Sequence, residues 1–270
     1  KSFSRTAERM NITQPAISKR IANLEAELNT QLIDRIGKQI SLSHSGIILQ
    51  QHASNLLKSM QDCKTAINNT RSEVEGVLKI GVSHHIGLHR LPPHLKSFSD
   101  NYPNVQLKIK FVDSEKAYQL INEGELEIAL ATLAPTTHKH LYQKRIWNDP
   151  LVFVTSGDHP LAKLDNLQLS TLADYPAILP SSNSYTGQIV EKLFTQHKCK
   201  INYHIETNYL ETIRMMVSIG LGWAVLPRTM VNRQLHGLHI HNIQLTRELG
   251  YLFHKNRTLS NASQAFINNL

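Results

Sequence analysis

Three short stretches of this chain hold side chains suited to binding chemistry. In "SSNSYTG", residues 181–187, hydroxyls crowd the start of a helix predicted from Thr186 to His197. Free N–H groups and the helix dipole favour an anion there, which makes Ser182, Ser184 and Thr186 candidate ligands. "SHH", residues 83–85, follows a strand-like run and supplies Ser83, His84 and His85, while Thr132 ends the strand-like "ALAT". Small molecules bind at such open ends of parallel strands in α/β lobes. The third stretch, "TQPAISKR", residues 13–20, presents an amide, two hydroxyls and two cations at the start of another helix. Hydroxyls of this kind also serve as plain caps, and a polar helix face is also the common solvated face of a hairpin, so spacing alone leaves both readings open.

Catalysis and metal binding have less support. There is no G-x-S-x-G elbow, no P-loop and no dinucleotide fingerprint, since "GLGW" lacks the third glycine and precedes a strand. A dispersed triad has no positive support, and the chain is not expected to be an enzyme. His84, His85 and His89 invite a metal, but their spacing fits no structural zinc pattern and no paired cysteines accompany them. His85 serves better as an anion donor, and no cofactor is expected beyond a small-molecule ligand. Cys63 and Cys199 are too few for a disulfide framework and suit a reducing cytoplasm. No apolar run approaches the ~18 residues of a membrane span.

These side chains need elements to position them. Thr13 is a good N-cap, and Pro15 falls in the first turn, where its missing N–H removes no helical bond. Ile17, Ile21, Leu24 and Leu28 then form one apolar stripe, leaving Gln14, Ser18, Lys19 and Asn23 elsewhere on the surface. "RIGKQISLS" suits a small hairpin or wing around Gly37 and Lys38. From about Ser45 to Val74, the residues Leu49, Ala53, Leu56, Met60, Cys63, Ile67, Thr70 and Val74 repeat with alternating spacings of four and three. That seam predicts one helix of about 30 residues, and burying it requires a partner, so dimerisation follows. Beyond Gly76, strand-like and helical runs alternate in two sets, which predicts parallel α/β sheets in two lobes with a cleft between them.

Charge points the same way. The 29 basic residues outnumber the 21 acidic ones, for a formal net charge of +8. Residues 1–73 hold ten basic and six acidic side chains, making the positive excess more than twice as dense there as in the remainder. Such an imbalance favours a polyanionic partner.

Together these features resemble the LysR-type transcriptional regulators. The likeness rests on "SFSRTAERMNITQPAISKRIANLEAELNTQLIDR" with "LSHSG", on "HPLA" at residues 159–162, and on "GLGWAVLP" at residues 220–227, and it covers essentially the whole chain. It implies an α/β protein with an all-α, winged N-terminal part. Residues 1–43 would form a winged helix-turn-helix, 44–75 a linker and dimerisation helix, and 76–270 an effector domain like a periplasmic binding protein. Lobe one would take about 76–148 and 250–270, and lobe two about 149–249. The family also has a helix ahead of "SFS", whose absence is expected to reflect truncation.

The resemblance assigns roles to residues. The helix from Gln14 would enter the major groove, with Gln14 suited to adenine, Ser18 to either base type, Lys19 to guanine or phosphate, and Pro15 and Ala16 to thymine methyls. Thr13, Arg20, Arg35 and Lys38 would contact phosphates. In family members of the sulfur-regulating type, hydroxyls at positions matching Ser83, His85, Thr132 and Thr186 surround a small oxyanion; here serine replaces one threonine and histidine another. The implied partners are double-stranded promoter DNA, further copies of the chain in a homodimer or homotetramer, and a small anionic co-inducer, in the cytoplasm and away from membranes. The rival expectation is a two-lobed solute-binding protein or small-molecule enzyme without DNA binding.

Overall fold

The computed structural model describes residues 2–36, 39–136, 138–165 and 167–270, without the side chains of Arg35, Ile36 and Gln39. The chain divides into two units, Lys1–Lys64 and Thr65–Leu270.

In the first unit, α1 (Phe3–Arg9) starts at Ser2, whose hydroxyl accepts from the Arg5 N–H at 3.4 Å. Asn11 then takes a φ of 52°, a left-handed value that asparagine tolerates, and turns the chain. Thr13 caps α2 (Gln14–Glu27) by accepting from the Ala16 N–H at 3.4 Å, with Pro15 in the first turn. Ala7, Ile17 and Leu32 form the small core. The Glu25 carboxylate accepts from the N–H groups of Leu32 and Ile33 at 2.8 and 3.1 Å, tying α2 to β1 (Ile33–Ile36). β1 pairs antiparallel with β2 (Gln39–Leu42), Ile33 facing Leu42. α3 (His44–Asn68) begins where the Ser43 hydroxyl accepts from the Gly46 N–H at 3.0 Å. Gly46 is required there, because a Cβ would lie 2.1 Å from the Leu32 carbonyl oxygen.

The second unit runs β3 (Gly76–Val82), α4 (His84–His89), α5 (Pro92–Asn101), β4 (Val105–Phe111), α6 (Ser114–Glu123), β5 (Ile128–Thr132) and β6 (Leu141–Ser156). It continues through α7 (Leu169–Ala173), β7 (Ala177–Leu179), α8 (Tyr185–Gln196), β8 (Tyr203–Glu206) and α9 (Leu210–Ser218). β9 (Ala224–Pro227), β10 (Leu235–Leu238), β11 (Leu245–His254) and α10 (Asn261–Asn268) complete it. The main sheet has the order β10-β6-β11-β5-β3-β4, with β9 also pairing β6.

The sheet is parallel only in part. β4, β3 and β5 run parallel as the alternation implied, but β6 and β11 are antiparallel from Leu141 opposite His254 to Leu151 opposite Leu245. Neighbouring strands, one carrying the chain outward between lobes and the other returning it, must run in opposite directions. Their register shifts at Leu249/Gly250, where a Cβ on Gly250 would lie 2.1 Å from the Lys144 carbonyl oxygen. Beyond that point β6 carries β9 and β10. Separate cores flank the sheet: Leu78, Ile80, Phe98 and Phe266 in one lobe, and Leu161, Phe194, Val225 and Trp223 in the other. Trp223 stacks on Phe194 at 5.6 Å and donates its indole N–H to the Leu172 carbonyl at 2.9 Å.

α3 is shorter than the seam predicts, at 25 residues rather than about 30. Its continuation is diverted by tertiary bonds. Asn69 donates through Nδ2 to the Leu259 carbonyl at 2.8 Å and accepts from the Asn261 N–H at 3.0 Å, while Asn261 Nδ2 donates to the Arg71 carbonyl at 2.8 Å. Thr70 and Val74 therefore lie beyond the helix, and Val74 packs against the first lobe's core.

Candidate functional site

Six of the seven effector candidates line one cavity: Ser83, His84, His85, Thr132, Ser184 and Thr186. Its volume is about 60 Å³, on the scale of a small ligand. Ser182 is the exception, exposed and off the lining, because the turn into α8 points Ser184 inward and Ser182 out. Sequence reasoning missed Asp113, Ser114, Glu115, Pro180, Asn208, Leu210 and Arg247, which complete the wall. The wall thus gathers the first-turn or capping residues of α4, α6, α8 and α9, where backbone N–H groups and helix dipoles favour negative charge.

The hydroxyls are not equivalent. Ser184 Oγ accepts from the Gly187 N–H at 3.0 Å and donates to the Ser181 carbonyl at 2.7 Å, so its hydrogen is already committed to the cap. Thr186 Oγ1 accepts from Arg247 Nη1 at 2.9 Å, which leaves its own O–H to donate. Ser114 Oγ accepts from the Thr132 N–H at 3.1 Å and fixes the end of β5.

A buried charge cluster underlies the cavity. Asp149 is fully buried and accepts from Arg247 Nε at 2.8 Å and Arg90 Nη2 at 3.2 Å. Burial alone would raise its pKa, but His85, the Arg247 charge and the hydrogen bond from Arg247 hold the carboxyl well below the usual carboxylate range. His85 Nε2 lies 3.5 Å from Asp149 Oδ2 without a hydrogen bond, and neither of its ring nitrogens has a partner. Burial lowers the His85 pKa against the opposing pull of Asp149. Arg247 Nη2 is likewise buried without an acceptor. An unsatisfied buried donor costs about 1–3 kcal/mol, more when charged, and a ligand acceptor would recover that loss. At the rim, contacts cross from lobe to lobe: Asn208 Nδ2 donates to Asp113 at 3.1 Å, the Tyr185 N–H to Glu115 at 2.5 Å, and His89 pairs with Glu211 at 2.7 Å.

The metal reading gains nothing from this geometry. The His85 and His89 rings lie 4.9 Å apart at a tilt of 42°, His84 contacts Phe111 and Tyr209, and among the described residues no group of three ligating side chains could hold an ion. The "HPLA" and "GLGWAVLP" residues are structural. Leu161 is fully buried and donates its N–H to His159 Nδ1 at 3.2 Å, and a Cβ on Gly222 would lie 2.3 Å from the Pro176 carbonyl oxygen.

In the first unit, Thr13, Gln14, Pro15, Lys19 and Arg20 are exposed and Ala16 and Ser18 half-buried, all at the start of α2. Gln14 Nε2 donates to Ser18 Oγ at 3.0 Å, joining two of the expected base-reading side chains. Arg35 belongs to β1 with its side chain undescribed, and Lys38 lies outside the described residues. Along α3, Leu56, Met60 and Ile67 are 68%, 58% and 62% exposed. Cys63 is exposed as well, whereas Leu49 and Ala53 are half-buried.

A two-lobed domain with a small polar cleft, following a helix-turn-helix unit, defines a ligand-responsive DNA-binding regulator. The model for bacterial regulatory helix-turn-helix proteins of the lysR family matches residues 1–47, and the LysR substrate binding domain model matches residues 71–270. The chain belongs to the LysR family, as a transcriptional regulator with an effector-binding domain. It is 28% identical over 282 residues to a probable RuBisCO transcriptional regulator from Thalassiosira pseudonana, spanning 100% of this chain and 92% of that one. The regulatory domain of CcmR from Synechocystis PCC6803, solved in complex with 2-PG, is 25% identical with a TM-score of 0.65, covering 72% of this chain and 95% of that one. A full-length OxyR variant from Pseudomonas aeruginosa, at 22% identity and a TM-score of 0.70, covers 99% of this chain and 91% of that one and bears on the fold alone.

Proposed function

We propose that the cavity binds a small oxyanion as co-inducer and that its occupancy alters promoter binding by a homodimer or homotetramer joined through α3. The observation that carries the anion is Arg247, a buried guanidinium with an unsatisfied Nη2, set among threonine hydroxyls and helix starts. The 2-PG bound to CcmR supports the same ligand class. A ligand shifts such an assembly only through different affinities for its quaternary states, and a cleft bridged by rim contacts between lobes supplies such a difference. The linker over 44–75, the effector domain over 76–270 and cytoplasmic action on double-stranded DNA belong to the same reading; among the described residues no helix is long and apolar enough to cross a membrane.

Calorimetry with sulfate, phosphate and 2-phosphoglycolate tests it. One anion site per chain is expected, and Thr186→Ala and Thr132→Val should each weaken it about tenfold or more, since hydrogen bonds to charged groups contribute about 1.5–3 kcal/mol. Unchanged affinity in both variants would remove this cavity from consideration. Adding the bound anion should also shift the mobility of a promoter complex in a gel.

Oligomerisation has its own test. Leu56→Asp with Met60→Asp places two charges on the apolar seam of α3 and should convert the oligomer to monomer in light scattering, with helix content unchanged. An intact oligomer would assign that seam another role.

A further inference from the structure

Two buried donors in the cavity go unserved by the protein itself. Arg247 gives Nε to Asp149 and Nη1 to Thr186, yet Nη2 meets no acceptor, and neither His85 ring nitrogen is bonded. The side chains are 4% and 5% exposed, and both residues line the cavity. Around His85 stand His84, His89 and Arg90 from its own segment, Asp149 from β6, and Arg247 from β11. Asp113 and Glu115 of the α6 start share the cavity wall, and Glu211 of α9 is engaged with His89. A neutral imidazole has one N–H, so it cannot donate to Asp149 and to a ligand together; the protonated ring donates from both nitrogens.

We propose, building on the anion reading above, that an oxyanion entering this cavity takes Arg247 Nη2 and draws one proton onto His85, whose ring then donates to both Asp149 and the ligand. Each anion bound takes up one proton from solvent, and no covalent bond changes. With His85 charged, the cluster of Arg90, Arg247, His85 and Asp149 carries two net positive charges, which offset the Asp113 and Glu115 carboxylates of the cavity wall and favour an anion such as sulfate. Effector affinity therefore rises as pH falls, and the regulator reads the anion and acidity together.

Sulfate is the probe, because its charge is constant across neutral pH. Calorimetry of the full chain should show sulfate affinity weakening by up to about tenfold per pH unit as pH rises across the neutral range, the limit for one linked proton. Repeating the titration in buffers of different ionisation enthalpy should reveal uptake approaching one proton per site. His85→Gln keeps a donor that does not titrate and should flatten the profile and abolish the uptake, while His89→Gln should keep the wild-type slope. Sulfate binding that is independent of pH, or a slope that survives His85→Gln, would overturn the proton coupling and leave the anion site standing. A chain binding none of sulfate, phosphate and 2-phosphoglycolate at any pH would sink both. Should His85→Gln fail to fold, the proton uptake of the wild-type chain decides alone.

Discussion

Asp149→Ala is expected to lower the unfolding free energy of the effector domain by roughly 3–5 kcal/mol, because it strands Arg247 as an unpaired buried charge. Arg247 is 4% exposed and Asp149 is fully buried, so neither can turn to solvent, whereas Arg90, a quarter exposed, can. Replacing both partners, Asp149→Ala with Arg247→Met, should recover most of the loss, since an apolar pair leaves no charge to solvate. Urea unfolding of the full chain followed by circular dichroism would measure the three values. The pH dependence carries a sign. The folded-state pKa of Asp149 is depressed, so its contribution is fully present above the unfolded carboxylate value of about 3.9 and fades only as pH falls through the depressed one. Between pH 8 and 5 the gap between wild type and Asp149→Ala should therefore hold. It should widen slightly at the acid end, because removing Asp149 makes buried His85 harder still to protonate. A gap that shrank over that range would mean that Asp149 is not held by the two arginines.

Which parts of this cluster were readable depends on the range of the forces involved. Thr13, Pro15 and the stripe from Ile17 are local signals, and α2 begins and buries Ile17 as they imply. The hydroxyl-rich start of α8 was also legible, since capping chemistry is written within four residues. The same local view cannot tell which serines face inward: Ser184 lines the cavity and Ser182 does not. α4 carries little local signal, because three histidines and a glycine among its six residues give it little intrinsic helicity; burial of Ile86 holds it in place. The N-terminal half of β6 and all of β10 carry little local signal, because their pairing is tertiary and "LYQKRIW" has no strict alternation of its own. Arg247 and Asp149 did leave a trace. In β11 the inward phase runs from half-buried Leu245 to buried Arg247 and Leu249, and in β6 it runs Asp149, Leu151, Phe153, so each strand places a charge in an apolar phase. Two opposite charges in the inward phase of strands that proved to be neighbours are a pattern that sequence alone can pose and only pairing can resolve.

A chain carrying Gln14→Ala, Ser18→Ala and Lys19→Ala together is expected to lose at least about a hundredfold in affinity for its own upstream intergenic DNA, since each good base-edge contact discriminates by about 1–3 kcal/mol. The loss should not be the sum of the single effects. Gln14 Nε2 already donates to Ser18 Oγ, so removing either side chain frees the other from its present geometry. A double-mutant cycle should therefore return a coupling of roughly 0.5 kcal/mol or more. Lys19 admits a sharper division. If its amine sits on phosphate, Lys19→Ala weakens all sequences alike and reduces the salt slope of binding by about one; if it reads guanine, the slope stays and discrimination at one base pair relaxes. Fluorescence anisotropy over a salt series, with promoter and scrambled duplexes, separates these outcomes. Light scattering on the triple variant supplies the control, because these residues lie at the exposed start of α2 and the apolar seam lies on α3. Equal losses on promoter and scrambled DNA would remove base reading from Gln14 and Ser18, and a variant that became monomeric would place the start of α2 in the oligomer contact instead of the groove.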